Sequence, residues 1–194
     1  MATIEEGRAN GPIHCEWLGA SDRAPIADGR SSRLHRHRGD YRWEGVRPEP
    51  YKAPSEDWAA ALRMVLVGQS DEPLDFQLRY FELEPGGFTS LEKHEHAHVV
   101  IVVRGKGAVI AGSECWHVGF LDTVYIAPLT PHQLLNAGDE PFGFFCIVDA
   151  VRDRPQPISP GELQRLLVIP RVREALRVPR AESERQEQPG HDGA

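Results

Sequence analysis

The chain of 194 residues is poor in sulfur-containing residues and has no long apolar run. Its cysteines, Cys15, Cys115 and Cys146, are odd in number and none has CXXC spacing, which argues against a disulfide framework and against a structural zinc site. No window approaches the roughly 18 apolar residues of a membrane span. The N-terminus lacks the basic and apolar regions of a signal peptide. We therefore expect a cytoplasmic protein with no membrane partner.

Positive charge is also scarce. The 22 lysines and arginines are outnumbered by 29 acidic residues, which gives a net charge of −7. Binding to nucleic-acid phosphates requires clustered lysine and arginine, and no helix-turn-helix pattern is present. We therefore expect no nucleic-acid partner.

One stretch carries an unusual pattern of ionisable residues. Glu92, His94, His96 and His98 occupy every second position, and an apolar run at residues 99–103 follows them directly. Alternation of this kind predicts a single β-strand that projects all four side chains to one face.

His132 follows a second strand-like run, Thr123–Ile126, and a proline-containing turn. It is therefore placed to complete the cluster from a neighbouring strand. Neutral imidazole and carboxylate groups suit a divalent transition metal. The pattern predicts a metal site built from two strands.

These residues resemble the first short motif of the cupin superfamily, G(X)5HXH(X)3-4E(X)6G. Every spacing is met between Gly86 and Gly105, with Glu92 at the first histidine position and His98 at the glutamate position. The composition of three histidines and one glutamate is thus kept, with two positions exchanged. The resemblance implies the metal ligands Glu92, His94, His98 and His132.

A second register takes His94 and His96 as the HXH pair, but it leaves Val100 or Ile101 at the glutamate position. We prefer the first register, in which His96 is a spare ligand or a substrate-facing group. If His96 faces the cavity, it is the leading candidate for acid–base catalysis.

Residues 118–136 resemble the second cupin motif, G(X)5PXG(X)2H(X)3N, with His132 as the fourth ligand and Asn136 at the last position. Leu121, Ala127 and Leu129 stand where the family usually has Gly, Pro and Gly.

Short predicted strands separated by turn residues indicate an all-β fold, and the resemblance implies a cupin-type double-stranded β-helix (jelly-roll) barrel. The predicted strands are residues 59–68, 76–83, 92–104, 108–111, 114–118, 123–126, 133–135 and 142–148. A turn is predicted at residues 84–87, where the sequence is Glu-Pro-Gly-Gly.

The domain organisation expected is a mostly flexible segment at 1–38 with one short strand around 13–18, a barrel with N-terminal additions at 39–150, short helices at 151–178 and a disordered tail at 179–194. Ser159 and Glu162 form a capping-box pattern that predicts the first helix. The aromatic residues of segment 41–52 either anchor it to the domain or form part of a lid or a dimer contact, and the sequence does not separate these alternatives.

The resemblance implies a metal-dependent enzyme that acts on a small-molecule substrate, with dioxygenase chemistry slightly favoured. The alternatives are a lyase or isomerase, a non-catalytic small-molecule-binding protein, and a structural cupin whose metal stabilises the barrel. Fe(II) or Mn(II) is favoured over Ni(II) or Zn(II). Tyr80 and Gln133, at strand ends, are candidate substrate contacts, and Cys146 is either a buried packing residue or a thiol facing the metal. Homodimerisation through an edge strand is a further expectation.

Overall fold

The computed structural model describes residues 32–53, 55–69 and 72–178, in which eleven strands and two helices are present. The first seven strands are β1 (Glu49–Pro50), β2 (Ala59–Val67), β3 (Phe76–Phe88), β4 (Glu92–Lys93), β5 (His98–Arg104), β6 (Gly107–Ala111) and β7 (Glu114–Val118). They are followed by β8 (Thr123–Ile126), β9 (His132–Leu135), β10 (Phe142–Asp149), β11 (Gln156–Pro157), α1 (Pro160–Leu167) and α2 (Pro170–Ala175). Cys15, the strand expected at 13–18, and most of the segment at 1–38 lie outside the described residues, as does the tail at 179–194.

The strands pair antiparallel in one curled sheet, in the order β11-β4-β9-β3-β10-β5-β8. Strand β2 pairs with β3 and β1, and the hairpin of β6 and β7 joins the sheet through β9. The predicted all-β jelly-roll class is therefore confirmed. Neither described helix is long and apolar enough to cross a membrane.

The predicted turn at residues 84–87 is wrong, because β3 continues through it to Phe88. The strand bends there instead: Gly86 has a φ of +77°, and a Cβ on Gly87 would lie 2.8 Å from the carbonyl oxygen of Ala60. Before the bend β3 pairs with β2 and β10, and at Phe88 it pairs with Ala59 of β2 and with Leu135 of β9. Glycine at this bend lets one strand pass from one half of the sheet to the other.

The single strand predicted at residues 92–104 is also wrong, because the chain forms β4, a bend at residues 95–97, and β5. The side chain of Asp153 fixes the bend: its carboxylate accepts hydrogen bonds from the backbone N–H groups of Glu95 at 2.9 Å and His96 at 3.4 Å. Strand β4 pairs with β9, whereas β5 pairs with β10 and β8. The two strands on either side of the bend thus belong to different parts of the sheet.

The inward faces of the strands form the main apolar core. Its fully buried members include Leu83, Val102, Val109 and Phe142, which come from β3, β5, β6 and β10. Complete burial of a side chain of this size stabilises the fold by roughly 1.5–3 kcal/mol. The core therefore accounts for the closure of the sheet around its interior.

The predicted capping box begins α1. The Ser159 hydroxyl accepts from the Glu162 backbone N–H at 3.3 Å, and the Glu162 side chain accepts from the Ser159 backbone N–H at 3.0 Å. Leu166 of α1 and Val172 of α2 then pack with Ile110 of β6 in a second apolar cluster. The helices cover the outer face of the sheet at that point.

The first part of the aromatic segment at 41–52 is anchored to the outer face of β3 and β10, and Tyr51 packs against the main core, so the first of the three alternatives holds. The Tyr41 ring stacks on Tyr80 with a centroid distance of 5.6 Å, and Trp43 contacts Phe145 at 6.0 Å. The Tyr41 hydroxyl donates to the carbonyl oxygen of Val103 at 2.6 Å.

A buried carboxylate lies beneath this anchored segment. Glu82, only 2% exposed, accepts hydrogen bonds from Arg42 at 3.0 Å, Tyr80 at 2.7 Å and Arg104 at 2.7 Å. Burial alone raises the pKa of Glu82, but the hydrogen bonds from these three residues outweigh burial and hold the pKa below its ordinary value.

We predict that Glu82→Gln destabilises the fold by about 2 kcal/mol near neutral pH, because it removes the carboxylate that pairs with the partly buried guanidiniums of Arg42 and Arg104, of which Arg104 keeps an ion pair with Asp40. The folded-state pKa is depressed, so the stabilisation is present above the unfolded-state pKa and lost as pH falls through the folded-state value. Urea unfolding of the wild type and the variant should therefore converge in acid. Glu84→Gln, at an exposed position of the same strand, is the control, and equal losses in both variants would contradict the prediction.

Candidate metal centre

A cavity of about 190 Å³ lies between the walls of the curled sheet. It is smaller than the roughly 300–1,000 Å³ of drug-sized ligand pockets. Four histidines line it: His94 and His96 between β4 and β5, His98 on β5 and His132 on β9. The cavity therefore suits a small polar substrate.

Three of the four predicted ligands come together. His94, His98 and His132 each offer one ligand atom, and these atoms lie within 4.8 Å of one another. The bend moves His94 out of β4 while His98 begins β5, and His132 is opposite Glu92 in the register of β4 and β9. The group is thus assembled from three places in the chain.

Each imidazole of this group has one nitrogen occupied by a neighbour. The Nδ1–H of His132 is 2.8 Å from the carbonyl oxygen of Thr130, to which it donates. The Nδ1 of His98 is 3.3 Å from the Sγ of Cys146, and its buried Nε2 has no hydrogen-bond partner among the described residues. A nitrogen held by a neighbour and a second one left open is the arrangement typical of metal-ligating histidines.

Glu92 lies beside the group rather than within it. Its Oε1 is 3.2 Å from Nε2 of His94, whose buried Nδ1 has no partner in the described part of the chain. Its other oxygen forms an ion pair with Lys52 and accepts from Ser90 at 2.9 Å. Burial raises the pKa of Glu92, but hydrogen bonds from His94 and Lys52 and the Lys52 charge lower it to about 2. The geometry favours Glu92 as the group that orients His94, and its role as a direct ligand stays a prediction.

The imidazoles of His98 and His132 are held in the neutral form that binds metals. Burial, reinforced by the neighbouring histidines, lowers the pKa of His98 to about 2. Burial also lowers the pKa of His132 to about 4, against the opposing hydrogen bond to Thr130. Neutral imidazoles with open buried nitrogens fit one divalent transition metal. The choice of Fe(II) or Mn(II) stays a prediction.

His96 faces the same cavity but has a different partner. Its Nδ1 is 2.6 Å from Asp153 Oδ1, and its ring stacks on His94 at 4.5 Å. His94, His96 and Asp153 form a second group of metal-capable atoms within 4.8 Å of one another. Because Asp153 already accepts from the backbone of the bend, the geometry favours Asp153 as the group that orients His96, and the acid–base role of His96 stays a prediction.

Cys146 lines the cavity and Tyr80 and Gln133 do not. Tyr80 is on the opposite face of β3 from Arg79, which lines the cavity, and its hydroxyl donates to Glu82. Gln133 is fully buried, bonded to Thr89 and Arg177. The expectation that these two contact substrate is therefore corrected, because alternation along each strand turns them away from the cavity.

Five charged cavity residues lie away from the histidine motif and were not predicted from the sequence. They are Lys52, Arg63, Arg79, Arg152 and Asp153. The inward position of Arg79 could have been predicted, because Arg79 is two residues from the core residue Phe81 and side chains alternate between the faces of a strand. Arg152 and Asp153 follow β10 in an irregular segment, where no periodicity predicts direction.

One domain-family model and one relative of known name match this chain. A model of the cupin domain matches residues 79–148, which include the three histidines and Cys146. The 1-methylthio-D-xylulose 5-phosphate methylsulfurylase of Rhodospirillum rubrum is 39% identical over 127 residues, which cover 65% of this chain and 80% of the relative.

Two solved structures are similar over most of their length. A cupin 2 conserved barrel domain protein from Rhodopseudomonas palustris has a TM-score of 0.69 and 35% identity, covering 75% of this chain and 100% of that one. A cupin 2 domain-containing protein from Halorhodospira halophila has a TM-score of 0.59 and 44% identity, covering 77% and 98% of the two chains.

We predict that His98→Ala and His132→Ala each reduce bound metal from about one ion per chain to near zero, because two imidazoles remain where three are needed. Elemental analysis of protein purified without chelator measures this. His117→Ala, on the exposed face of β7, should retain its metal. Full metal occupancy in the His98 and His132 variants would contradict the proposed metal site.

We predict that Glu92→Gln weakens metal binding by about 10–100-fold without abolishing it, as expected for a residue that orients a ligand. Competition with a fluorescent chelator gives the affinity, and Glu95→Gln, an exposed carboxylate of the bend, is the control. Complete loss of binding would instead make Glu92 a direct ligand.

Proposed function

Because the chain belongs to the cupin family, we propose that it is a metal-dependent enzyme that removes the methylthio group from a small phosphorylated ketose. The bound metal would be held by His94, His98 and His132, where it supplies a Lewis acid that polarises the ketone oxygen. The relative from R. rubrum, whose name specifies a methylthio sugar phosphate, supports this substrate class.

The position of Cys146 carries the proposal. Its Sγ lies 3.3 Å from His98 Nδ1 and 3.5 Å from the Nη2 of Arg79, inside the cavity that the three histidines line. A thiol in this position can reach a substrate bound at the histidines, and two N–H groups surround its sulfur. No other described cysteine lines that cavity.

The proposed step transfers the methylthio group to this sulfur. The Cys146 thiol gives up its proton, its sulfur forms an S–S bond with the methylthio sulfur, the bond between that sulfur and C1 breaks, and the electron pair of that bond passes into an enolate of the sugar. Protonation at C1 gives a 1-deoxy ketose phosphate. The carbon is reduced and the two sulfurs are oxidised to a mixed disulfide, which a low-molecular-weight thiol then reduces to restore the cysteine.

His96 is the proposed proton donor in this step. It faces the cavity, and the hydrogen bond between its Nδ1 and Asp153 fixes the orientation of the ring. A neutral histidine held in this way takes a proton on its other nitrogen and then returns it, so His96 would accept the proton of the Cys146 thiol and deliver it to C1.

Dioxygenase chemistry, slightly favoured by the sequence, stays a prediction with less support. A three-histidine site is compatible with oxygen activation, but that chemistry gives no role to the thiol beside His98. The lyase alternative anticipated from the sequence is nearer to the present proposal, because both break a bond beside a carbonyl group.

We predict that the metal-loaded protein with 1-methylthio-D-xylulose 5-phosphate and no added thiol accumulates a methylthio adduct on Cys146, because the mixed disulfide has no reductant. Intact-protein and peptide mass spectrometry detect the adduct. Addition of a low-molecular-weight thiol should discharge it and permit turnover. Oxygen consumption, measured in parallel, should stay at background.

Cys146→Ser should abolish both the adduct and turnover, whereas Cys115→Ser, at a partly buried position of β7, should retain them. Turnover by Cys146→Ser at the wild-type rate would reject the thiol mechanism. Stoichiometric oxygen uptake with the same substrate would favour the dioxygenase.

A further inference from the structure

Three arginines line one part of the cavity wall, and of these only Arg79, through its contact with Cys146, touches a group used in the step described above. Arg63 is on β2, Arg79 is on β3 and Arg152 follows β10. In the sheet register Arg79 is opposite Val65 on one side and Cys146 on the other. The three cationic side chains thus come from adjacent strands.

The least exposed of the three has little to compensate its charge. Arg79 is 9% exposed, its guanidinium lies 5.1 Å over the Phe81 ring, and its Nη2 contacts Cys146. Its buried Nε has no hydrogen-bond partner, and no carboxylate lies within 4.0 Å of the guanidinium, among the residues that the structure describes. Burial of such a charge is unfavourable unless an anion accompanies it.

The two neighbouring arginines supply only one ion pair. Arg63 pairs with Glu49 at 2.9 Å, but its buried Nε has no partner within the described ranges. Arg152 donates to the side-chain oxygen of Gln77 at 2.7 Å and to the carbonyl oxygen of Asp149 at 2.9 Å, which are both uncharged acceptors. Burial and the charges of Arg79 and Arg63 lower the pKa of Arg152, which indicates that the three cations repel one another.

We propose that Arg63, Arg79 and Arg152 form an anion subsite that binds the phosphate group of the substrate. The contacts of these three residues support the subsite independently of the proposed reaction. Only the identity of the sugar attached to the phosphate rests on the proposed function.

The number and type of donors favour a phosphate monoester over a carboxylate. A phosphate carries close to two negative charges and three acceptor oxygens, whereas a carboxylate offers one charge and two oxygens. Arginine forks bind phosphate oxygens in pairs. Three guanidiniums with a single ion pair therefore match a dianion better than a monoanion.

The other charged groups of the cavity already have ion-pair or hydrogen-bond partners. Lys52 forms an ion pair with Glu92, and Asp153 binds His96 and the backbone of the bend. Cys146 contacts both Arg79 and His98. A short substrate would therefore have its phosphate at the arginines and its ketone at the histidines, in the same cavity as the thiol.

Calorimetric titration of inorganic phosphate into the metal-loaded full chain tests the subsite. Arg152→Gln is the primary variant, because its half-buried side chain can be replaced without opening the core, and Arg79→Gln is the second. Arg154→Gln is the matched control, because Arg154 is exposed two residues further along and does not line the cavity. Circular dichroism and metal content verify that every variant is folded and loaded.

We expect phosphate to bind at least about tenfold more weakly to Arg152→Gln and Arg79→Gln than to the wild type, because each loses charge-assisted hydrogen bonds. Arg154→Gln should differ from the wild type by less than about twofold, since surface charges at a distance are screened. D-xylulose 5-phosphate should lose affinity in the same two variants, and D-xylulose should not.

Equal phosphate affinity in the wild type and Arg152→Gln would overturn the subsite, as would phosphate that binds only at the metal. Competition by acetate as strong as that by phosphate would also overturn it, in favour of a carboxylate site. Phosphate binding that depends on the arginines, in a protein that leaves the methylthio sugar unchanged, would reject the proposed function and keep the subsite.

Discussion

Three imidazoles meet in this protein because the chain leaves the sheet at His94 and returns to a different part of it at His98. The backbone hydrogen bonds from Glu95 and His96 to the Asp153 carboxylate fix that departure. These bonds hold the pKa of Asp153 at about 2, so the carboxylate is charged over the physiological range. Without the bend, β4 could not pair with β9 while β5 pairs with β10, and the ligands would be spread along one extended strand.

The sequence predicts the class of fold and most strand positions because the determinants are local. The hairpin at Gly112 requires a residue that tolerates positive φ, and the capping box at Ser159 fixes where α1 begins. The errors at residues 84–87 and 95–97 share a different cause. In both places a long-range contact decides the backbone path: close packing against Ala60 in the first and the Asp153 carboxylate in the second.

The candidate site was likewise predictable where local sequence determines it and not where long-range contacts do. Motif spacing identifies His94, His98 and His132 as partners, because metal ligation constrains residue type. The prediction that Tyr80 contacts substrate was wrong because it relied on the position of Tyr80 at a strand end. The core residue Phe81 sets the inward face of β3, so Tyr80 lies on the opposite face. The arginines carry no motif, so only the register of β2, β3 and β10 brings them together.

The arginines of the cavity wall are on β2 and β3 or follow β10, and none of these strands carries one of the three histidines. The reactive centre and the part of the cavity that would recognise the far end of a substrate are thus encoded in separate stretches of the chain. Substitutions at the arginines can change the substrate preference while the histidine cluster is retained. This separation offers one physical reason why a single barrel can diverge toward many small molecules.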